Sequence, residues 1–158
     1  MNSSQLSHYL QSDDCVRPIF AGVYAIDELP MHVEKRPSLF VINTDFARNI
    51  GKHWLSAYFA NDRERSCTFF DSLGQHPTCY HQFLMTFLNG NCTYFRYNTQ
   101  CLQSSSSSVC GHYVMYFGYC QARNVPLENM LSRTHFGLNT EVNDLYVYNF
   151  CKRFYGIY

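Results

Sequence analysis

The region from Gln103 to Met115 limits the folds open to this chain more than any other part of it. A polar loop with five consecutive serines ends at Cys110-Gly111, and an apolar run of helical length follows. We expect this run to be the core helix of the fold, extending to about Arg123. A cysteine at a helix start lies among unpaired backbone N–H groups and at the positive end of the helix dipole, which favours the thiolate. The alternative is a buried structural cysteine, since free cysteine is among the most buried residue types.

The composition is that of a folded, aromatic-rich protein. The 158 residues are 46% hydrophobic and 17% aromatic, which predicts one domain over residues 1–158 with a substantial core. Twelve Lys and Arg residues balance twelve Asp and Glu residues, so the formal net charge is zero. The chain therefore has no overall positive field that would attract nucleic acid, although a local basic patch is not excluded.

Cysteine spacing and the N-terminal sequence indicate a reducing environment. No two of the eight cysteines are separated by only two residues, so the C-x-x-C signature of zinc and redox sites is missing. The sequence shows no secretory signal pattern and no run of about 18 apolar residues. We therefore expect an intracellular protein, not a membrane protein, with mostly reduced thiols. The cysteines occupy positions 15, 67, 79, 92, 101, 110, 120 and 151.

Four segments in the middle of the chain predict β-strands. Leu39–Asn43 is a continuous apolar run, as in a buried central strand, and His53–Ala60 and Ser66–Phe70 follow. The turn residues Asn61–Glu64 join the last two into a hairpin. Thr93–Tyr97 predicts a fourth strand, whereas the pattern of residues 19–25 fits either an extended segment or a loop.

Helices are predicted on both sides of these strands. A helix over residues 3–11 would be capped by Ser3 or Ser4, and a second would run from Pro77 to about Leu88 and end at Asn89-Gly90. A short helix is predicted from Pro126 to Ser132. The last helix would be capped near Asn139 and run to about Phe154, with these largely buried residues: Val142, Leu145, Val147, Tyr148 and Phe154.

The proposed hairpin brings two candidate catalytic residues to one end of the sheet. His53 begins one strand and Asp71 follows the next, and an antiparallel pair places the start of one strand beside the end of the other. If the helix that begins at Cys110 packs across that end, thiol, imidazole and carboxylate align as in a cysteine hydrolase. The Gln103 side chain and the backbone N–H of Cys110 are the candidate donors to an oxyanion.

Each of these residues has an ordinary alternative role. His53 alone could be a surface histidine, Asp71 a turn residue before Ser72-Leu73-Gly74, and Gln103 a solvated loop amide. The argument for a catalytic site comes from their combination, because the strand order brings several reactive groups to one edge.

The same residues carry a family resemblance. Gly51–Trp54, Phe69–Gly74, Gln103 and Cys110-Gly111 in this order resemble the adenovirus maturation protease (adenain) family and its relatives in Maverick/Polinton elements. The wider clan includes the SUMO and ubiquitin-like deconjugating proteases, which share His-Trp, Asp-Ser and Gln…Cys-Gly. The resemblance covers roughly residues 15–123.

The resemblance implies an α+β, papain-like cysteine protease fold with a rearranged chain order. A central, mostly antiparallel sheet would pack on the helix that carries the nucleophile. Cys110 would be the nucleophile, His53 the general base and then acid, Asp71 the group that orients His53, and Gln103 an oxyanion donor. Adenain has glutamate where Asp71 stands, whereas the deconjugating proteases have aspartate. His112 would point away from Cys110 and have a structural role.

The implied function is that of a cysteine endopeptidase that cleaves capsid precursors at Gly-containing sites during virion maturation. The host nucleus and the virion would be its locations. The alternatives are a SUMO or ubiquitin-like deconjugating protease and an inactive interaction module of the same fold. No metal or small-molecule cofactor is expected. A weaker alternative is metal binding by Cys79 with His76 and His81, for which the sequence has no second matching pair.

Two macromolecular activators are also implied by the resemblance. Adenain binds an activating peptide through a disulfide, and the corresponding cysteine here is Cys92, eleven residues before Gln103. Adenain also uses DNA as a cofactor, but it is basic whereas this chain is neutral. The expected partners are therefore a protein substrate and an activating peptide at Cys92, with DNA as a further candidate.

Overall fold

The computed structural model describes residues 1–132 and 135–157. Within these residues, five strands form one sheet in the order β1-β2-β3-β4-β5. The strands are β1 Phe20–Ala25, β2 Ser38–Asn43, β3 Trp54–Phe59, β4 Cys67–Phe70 and β5 Phe95–Tyr97. The helices are α1 Ser3–Ser12, α2 Gln82–Asn91, α3 Cys110–Ala122, α4 Leu127–Met130 and α5 Thr140–Tyr155.

The sheet is mixed rather than mostly antiparallel. The β2–β3 and β3–β4 pairs are antiparallel, whereas β1–β2 and β4–β5 are parallel. A parallel pair needs a crossover connection of about a dozen residues or more, and residues 26–37 and 71–94 provide connections of that length. The α+β, papain-like fold class is confirmed, and the hairpin of β3 and β4 lies at the centre of the sheet.

Strand β2 explains why the sheet is covered on both faces. Its apolar side chains alternate between two hydrophobic clusters, as expected when successive side chains point to opposite faces. Leu39 and Val41 pack with α3, whereas Phe40 and Ile42 pack with α2. The uninterrupted apolar run in the sequence therefore corresponds to a central strand with helices on both sides.

Helix α3 is the core helix that the sequence predicts. Eleven of its thirteen residues are buried. Gly118 allows the helix to approach the sheet closely, because a Cβ atom there would lie 2.8 Å from Leu39 Cδ2. The first residue of α3, Cys110, is thereby held against the hairpin end of the sheet.

The helix predicted from Pro77 to Leu88 is wrong at both ends. Pro77–Cys79 forms a separate 3-10 turn, and α2 begins only at Gln82. Histidine side chains cause this division: His76 accepts from the N–H of Thr78, and His81 accepts from the N–H at the start of α2. Asn89-Gly90 does not end the helix, which continues to Asn91. Cys92 is therefore the C-cap residue of α2.

The expected burial of the last helix is also largely wrong. Asn139 caps α5 as predicted, but Val142 and Leu145 are 61% and 59% exposed, and Tyr148 and Phe154 are also exposed. Of the five residues expected inside, only Val147 is buried. The helix instead buries polar side chains that find partners: Asp144 accepts from Tyr113 and from the Ser104 N–H, and Asn143 donates to the Leu102 carbonyl.

Smaller differences concern the ends of elements. Asn2, not Ser3 or Ser4, caps α1 through a reciprocal capping box with Gln5. Residues 20–25 are a strand, which resolves the alternative left open by the sequence. No helix in residues 1–132 or 135–157 combines the length and apolar content that crossing a bilayer requires. The single-domain boundary at residues 1–158 remains a prediction.

Candidate active site

His53 and Asp71 lie together at one end of the β3–β4 hairpin. His53 precedes β3 and Asp71 follows β4, and the antiparallel register pairs Ser56 with Phe70. The distance from His53 Nε2 to Asp71 Oδ1 is 2.6 Å. The structure thus brings these two predicted site residues into a direct hydrogen bond.

Cys110 reaches the same point from the opposite element. It begins α3, and its thiol lies close enough to His53 and to the backbone N–H groups of Trp54 and Gly111 for all three to lower the pKa of the thiol. Because Asp71 occupies Nε2 of the imidazole, Nδ1 is the ring nitrogen left for the thiol. The three groups therefore form a continuous chain from carboxylate to imidazole to sulfur.

The electrostatics of this chain favour a thiolate and an imidazolium. Burial opposes ionisation of Cys110, but the hydrogen bonds from His53 and from the Trp54 N–H outweigh it, so the pKa of the thiol is lowered. Burial would also lower the pKa of His53, but Asp71 and Cys110 outweigh it and raise the pKa to about 9. The two groups stabilise one another in their charged forms.

Asp71 is a fully buried carboxylate that accepts four hydrogen bonds. His53 and the Leu73 N–H bind Oδ1, whereas the Gln75 N–H and the Tyr80 hydroxyl bind Oδ2. Burial alone would raise the pKa of Asp71, but these donors lower it below its ordinary value. The carboxylate therefore remains negative and correctly oriented for His53.

Tyr80 is a site residue that the sequence did not indicate, since it lies in the segment predicted as a helix from Pro77 to about Leu88. Its hydroxyl lies 2.6 Å from Asp71 Oδ2, and its ring stacks on that of His53 at a centroid distance of 6.5 Å and an interplanar angle of 25°. Burial and the adjacent Asp71 carboxylate raise the pKa of Tyr80, so the hydroxyl remains a donor. No periodicity in the sequence indicates this contact, which depends on the turn at Pro77–Cys79.

Gln103 lies on the other side of Cys110, in the loop before α3. Its Nε2 donates to the Ser107 carbonyl at 3.0 Å, and its Oε1 accepts from the Ser72 hydroxyl at 2.7 Å. Val109, the N-cap of α3, makes no side-chain capping bond, so no capping side chain occupies the N–H of Cys110. The Cys110 N–H and Gln103 Nε2 are therefore candidate oxyanion donors. Ser72 is a second residue that sequence reasoning did not assign.

Cys110, His53 and Gln103 share a surface cavity of about 720 Å³. Trp54 and Leu73 line it beside the reactive groups, and the Trp54 indole N–H donates to the Met1 carbonyl at 3.1 Å. Uncharged polar side chains make up much of the remaining wall: Asn2, Ser3, Gln5, Asn43, Ser104, Ser105, Ser107 and Ser108. The reactive sulfur thus lies in a cleft large enough for several residues of an extended peptide.

His112 does not line this cleft. Its side chain is buried and its ring lies 5.4 Å from that of Tyr148. Burial lowers the pKa of His112, and its buried Nδ1 has no hydrogen-bond partner among the described residues. The histidine therefore lacks the contacts that distinguish His53, in keeping with the structural role expected for it.

Cys92 lies far from Cys110, at the C-terminal end of α2. It is partly buried, its thiol donates to the Leu88 carbonyl at 3.1 Å, and it packs in the same cluster as Cys67. All eight cysteines are free. A hydrogen bond with Cys67 lowers the pKa of Cys92 despite its burial. The structure leaves its disulfide role as a prediction.

Side chains that can bind metals do not cluster in the described part of the chain. Residues 1–132 and 135–157 contain no group of three or more His, Cys, Asp or Glu side chains that could hold a metal ion. His76 and His81, which the sequence suggested as partners of Cys79, instead accept hydrogen bonds from backbone N–H groups.

A cysteine at the N-terminus of a central helix, packed against a mixed sheet that presents a histidine and a carboxylate, defines the papain-like class of cysteine peptidases. Residues 34–145 match the model of the Ulp1 protease family, C-terminal catalytic domain. This match covers more than half of the chain and includes His53, Asp71, Gln103 and Cys110. The chain belongs to the Ulp1 protease family, a family of cysteine-type peptidases.

One solved structure with similarity to the chain is that of the pS273R protease of ASFV (African swine fever virus), determined with selenomethionine. The two are 27% identical, with a TM-score of 0.47. The similarity covers 78% of this chain and 47% of that one, so the chain spans about half the length of the viral protease. No curated protein matches this sequence. The narrower resemblance to adenain and to Maverick/Polinton proteases remains a prediction.

Proposed function

We propose that this protein is a cysteine endopeptidase in which Cys110, His53 and Asp71 form the catalytic triad. The single observation that carries this proposal is the chain of three groups at one end of the hairpin: the Asp71 carboxylate lies 2.6 Å from His53 Nε2, and the Cys110 thiol adjoins the same imidazole. In such a chain the proton already resides on the imidazole, and the sulfur is ready to attack.

Cleavage would proceed in two steps. The Cys110 thiolate attacks the carbonyl carbon of the scissile bond, and the oxygen that becomes negative is stabilised by the Cys110 N–H and Gln103 Nε2. His53 gives its proton to the departing amine, which leaves a thioester on Cys110 and a neutral imidazole. His53 then removes a proton from water, the hydroxide attacks the thioester, and the carboxylic acid product leaves as the thiolate re-forms.

For the substrate, we propose capsid precursor proteins cleaved at Gly-containing sites, as in virion maturation, with the host nucleus and the virion as locations. The resemblance of the ordered motifs to adenain supports this choice. Family membership makes protein substrates the general expectation, and a cleft lined by many uncharged polar side chains together with Lys52 has room for an extended chain.

A second candidate is removal of a SUMO or ubiquitin-like modifier after Gly-Gly. It is favoured by the match to the Ulp1 protease family and by the aspartate at position 71, where the deconjugating proteases also have aspartate. A panel of Gly-containing precursor peptides and folded modifier fusions separates the two. Cleavage of short peptides but not of fusions favours the maturation protease, and strong preference for folded fusions favours deconjugation.

The test of the enzyme itself is Cys110→Ala, with Cys120→Ala as a matched control on the same helix. Both thiols are buried in α3, but only Cys110 contacts His53. We expect Cys110→Ala to abolish peptide cleavage and Cys120→Ala to retain most of it. Turnover by Cys110→Ala near that of the wild type would refute the triad and would favour an inactive module that only binds proteins.

For activation, we propose a peptide that joins Cys92 through a disulfide, with DNA as a further activator. The partial exposure of Cys92 and its free thiol support thiol exchange at this position. A candidate peptide supplied as a mixed disulfide with glutathione should activate the wild type but not Cys92→Ser. Equal responses would refute the role of Cys92. DNA added at low salt tests the second activator, because such binding weakens as salt rises.

A further inference from the structure

Ser72, the residue after Asp71, holds Gln103 through both its main chain and its side chain. The Ser72 carbonyl accepts from the N–H groups of Leu102 and Gln103, at 2.8 Å and 3.0 Å. The Ser72 hydroxyl donates to Gln103 Oε1 at 2.7 Å. Ser72 and Gln103 are only 1% and 5% exposed, so water cannot easily replace these bonds.

Hydrogen-bond chemistry shows which side of the Gln103 amide each partner requires. The Ser107 carbonyl can only accept, so it must face Nε2. Oε1 can also only accept, and the Ser72 hydroxyl supplies its donor. Nε2 has two hydrogens, of which one is bound to Ser107. The second remains for an acceptor in the cleft that Gln103 lines.

We propose that Ser72 is a positioning residue for the oxyanion site, acting through Gln103. This inference rests on the proposed peptidase function. It makes Asp71-Ser72 a shared support for the two halves of the reaction. The Asp71 carboxylate orients His53 for proton transfer. The adjacent Ser72 hydroxyl orients the Gln103 amide, which donates a hydrogen bond to the negatively charged oxygen of the transition state.

Loss of the Ser72 hydroxyl would leave Oε1 buried without a donor. The free energy cost of that state drives the amide to rotate toward another partner, and rotation removes Nε2 from the cleft. Deleting an oxyanion donor outright lowers kcat by about 10²–10³. Ser72→Ala leaves Gln103 in the loop and retains its backbone bonds. We therefore expect a smaller loss, of about tenfold to a hundredfold.

The test is a double-mutant cycle of Ser72→Ala and Gln103→Ala. The substrate is a fluorogenic peptide ending in Gly-Gly linked to aminomethylcoumarin. Ser72→Ala should lower kcat with little change in KM, and it should cause no further loss in the Gln103→Ala background. Unchanged kcat in Ser72→Ala, or an equal loss in both backgrounds, would overturn the proposal.

Ser56→Ala is the matched control for this cycle. Ser56 is also fully buried near the same sheet, but its hydroxyl has no hydrogen-bond partner among the described residues. We expect its kcat to equal that of the wild type. If Ser72→Ala does not fold, Ser72→Cys replaces it, since a thiol fills similar space but is a weak donor. The same two outcomes, unchanged kcat or an additive loss, then overturn the proposal.

Alkylation of Cys110 separates a loss at the oxyanion site from general damage. Iodoacetamide reacts with the thiolate and needs no oxyanion donor, so its rate and pH dependence should be unchanged in Ser72→Ala. Slower alkylation would mean that Ser72 acts on the thiolate instead of through Gln103, and would overturn the inference. Failure of the peptidase proposal is recognised separately, by cleavage that survives Cys110→Ala.

Discussion

The two sides of the cleft are built in different ways. On one side, His53 and Asp71 stand at the ends of two central strands, and Cys110 begins the most buried helix. On the other side, Gln103 lies in a serine-rich loop and is oriented by the Ser72 hydroxyl and the Ser107 carbonyl. The groups proposed to produce the nucleophile thus belong to strands and a buried helix, whereas the group that would stabilise the transition state depends on a few loop contacts.

This difference separates two kinds of catalytic loss. Damage to the strand side should change the ionisation of Cys110 and therefore the pH dependence of every thiolate reaction. Damage to the loop side should slow cleavage but leave the thiolate intact. For each substitution, cleavage kinetics together with the pH dependence or the alkylation rate of Cys110 show which side of the cleft is affected.

Asp71→Asn should cause the largest loss among these variants. The substitution removes the negative charge that raises the pKa of His53 and puts an NH₂ group among four donors. We expect kcat to fall by about 10³–10⁴, comparable to the loss of the carboxylate charge in other catalytic triads. Kinetics on the Gly-Gly peptide measure it, with Asp62→Asn in the β3–β4 turn as the control. A loss below tenfold would contradict the role of the carboxylate.

Gln103→Ala should follow, with a fall in kcat of about 10²–10³. The physical reason is loss of the side-chain donor to the oxyanion, and the alkylation rate of Cys110 should not change. Gln100→Ala is the control in the same loop, since its amide donates to the Gly137 carbonyl instead of facing the cleft. Slower alkylation of Gln103→Ala would show that the two sides are not independent.

Tyr80→Phe should have a modest effect, with kcat lowered less than about tenfold, that is, by less than about 1.4 kcal/mol, because Tyr80 acts on His53 only through Asp71 and the carboxylate keeps three other donors. The Asp71 carboxylate keeps three donors but carries more unshared charge, so the pKa of His53 should rise. The alkaline limb of the pH profile should therefore move to higher pH. Tyr94→Phe is the control, because the Tyr94 hydroxyl also donates to a carboxylate, that of Glu64, at 2.7 Å, but neither residue lines the cleft. A profile identical to the wild type would assign Tyr80 a purely structural role.

The strand side of the site could be predicted from the sequence because it follows from topology. A continuous apolar run located a central strand, turn residues joined the next two strands into a hairpin, and antiparallel pairing then placed His53 beside Asp71. The core helix followed from an apolar run that is almost entirely buried. These inferences needed only the periods of regular structure.

The parts that could not be predicted depend on individual side-chain partners. Hydropathy suggested that Val142 and Leu145 would be inside, but α5 turns its polar Asn143 and Asp144 inward because the loop and α3 satisfy them. Tyr80 could not be assigned to the site for a similar reason. The sequence predicted one continuous helix from Pro77, whereas a histidine-capped turn separates Tyr80 from α2. Such contacts are long-range and leave no repeat in the sequence.

The most direct test of the thiolate–imidazolium pair is the pH dependence of Cys110 alkylation by iodoacetamide, followed by mass spectrometry of the peptide that contains Cys110. The lowered pKa of the thiol should make the rate rise at a pH below that of an ordinary cysteine. The rate should change again as His53 loses its proton near pH 9, and Asp71→Asn should shift both transitions. A single transition near pH 8.5, the ordinary value for cysteine, that is unchanged in Asp71→Asn would contradict the pair.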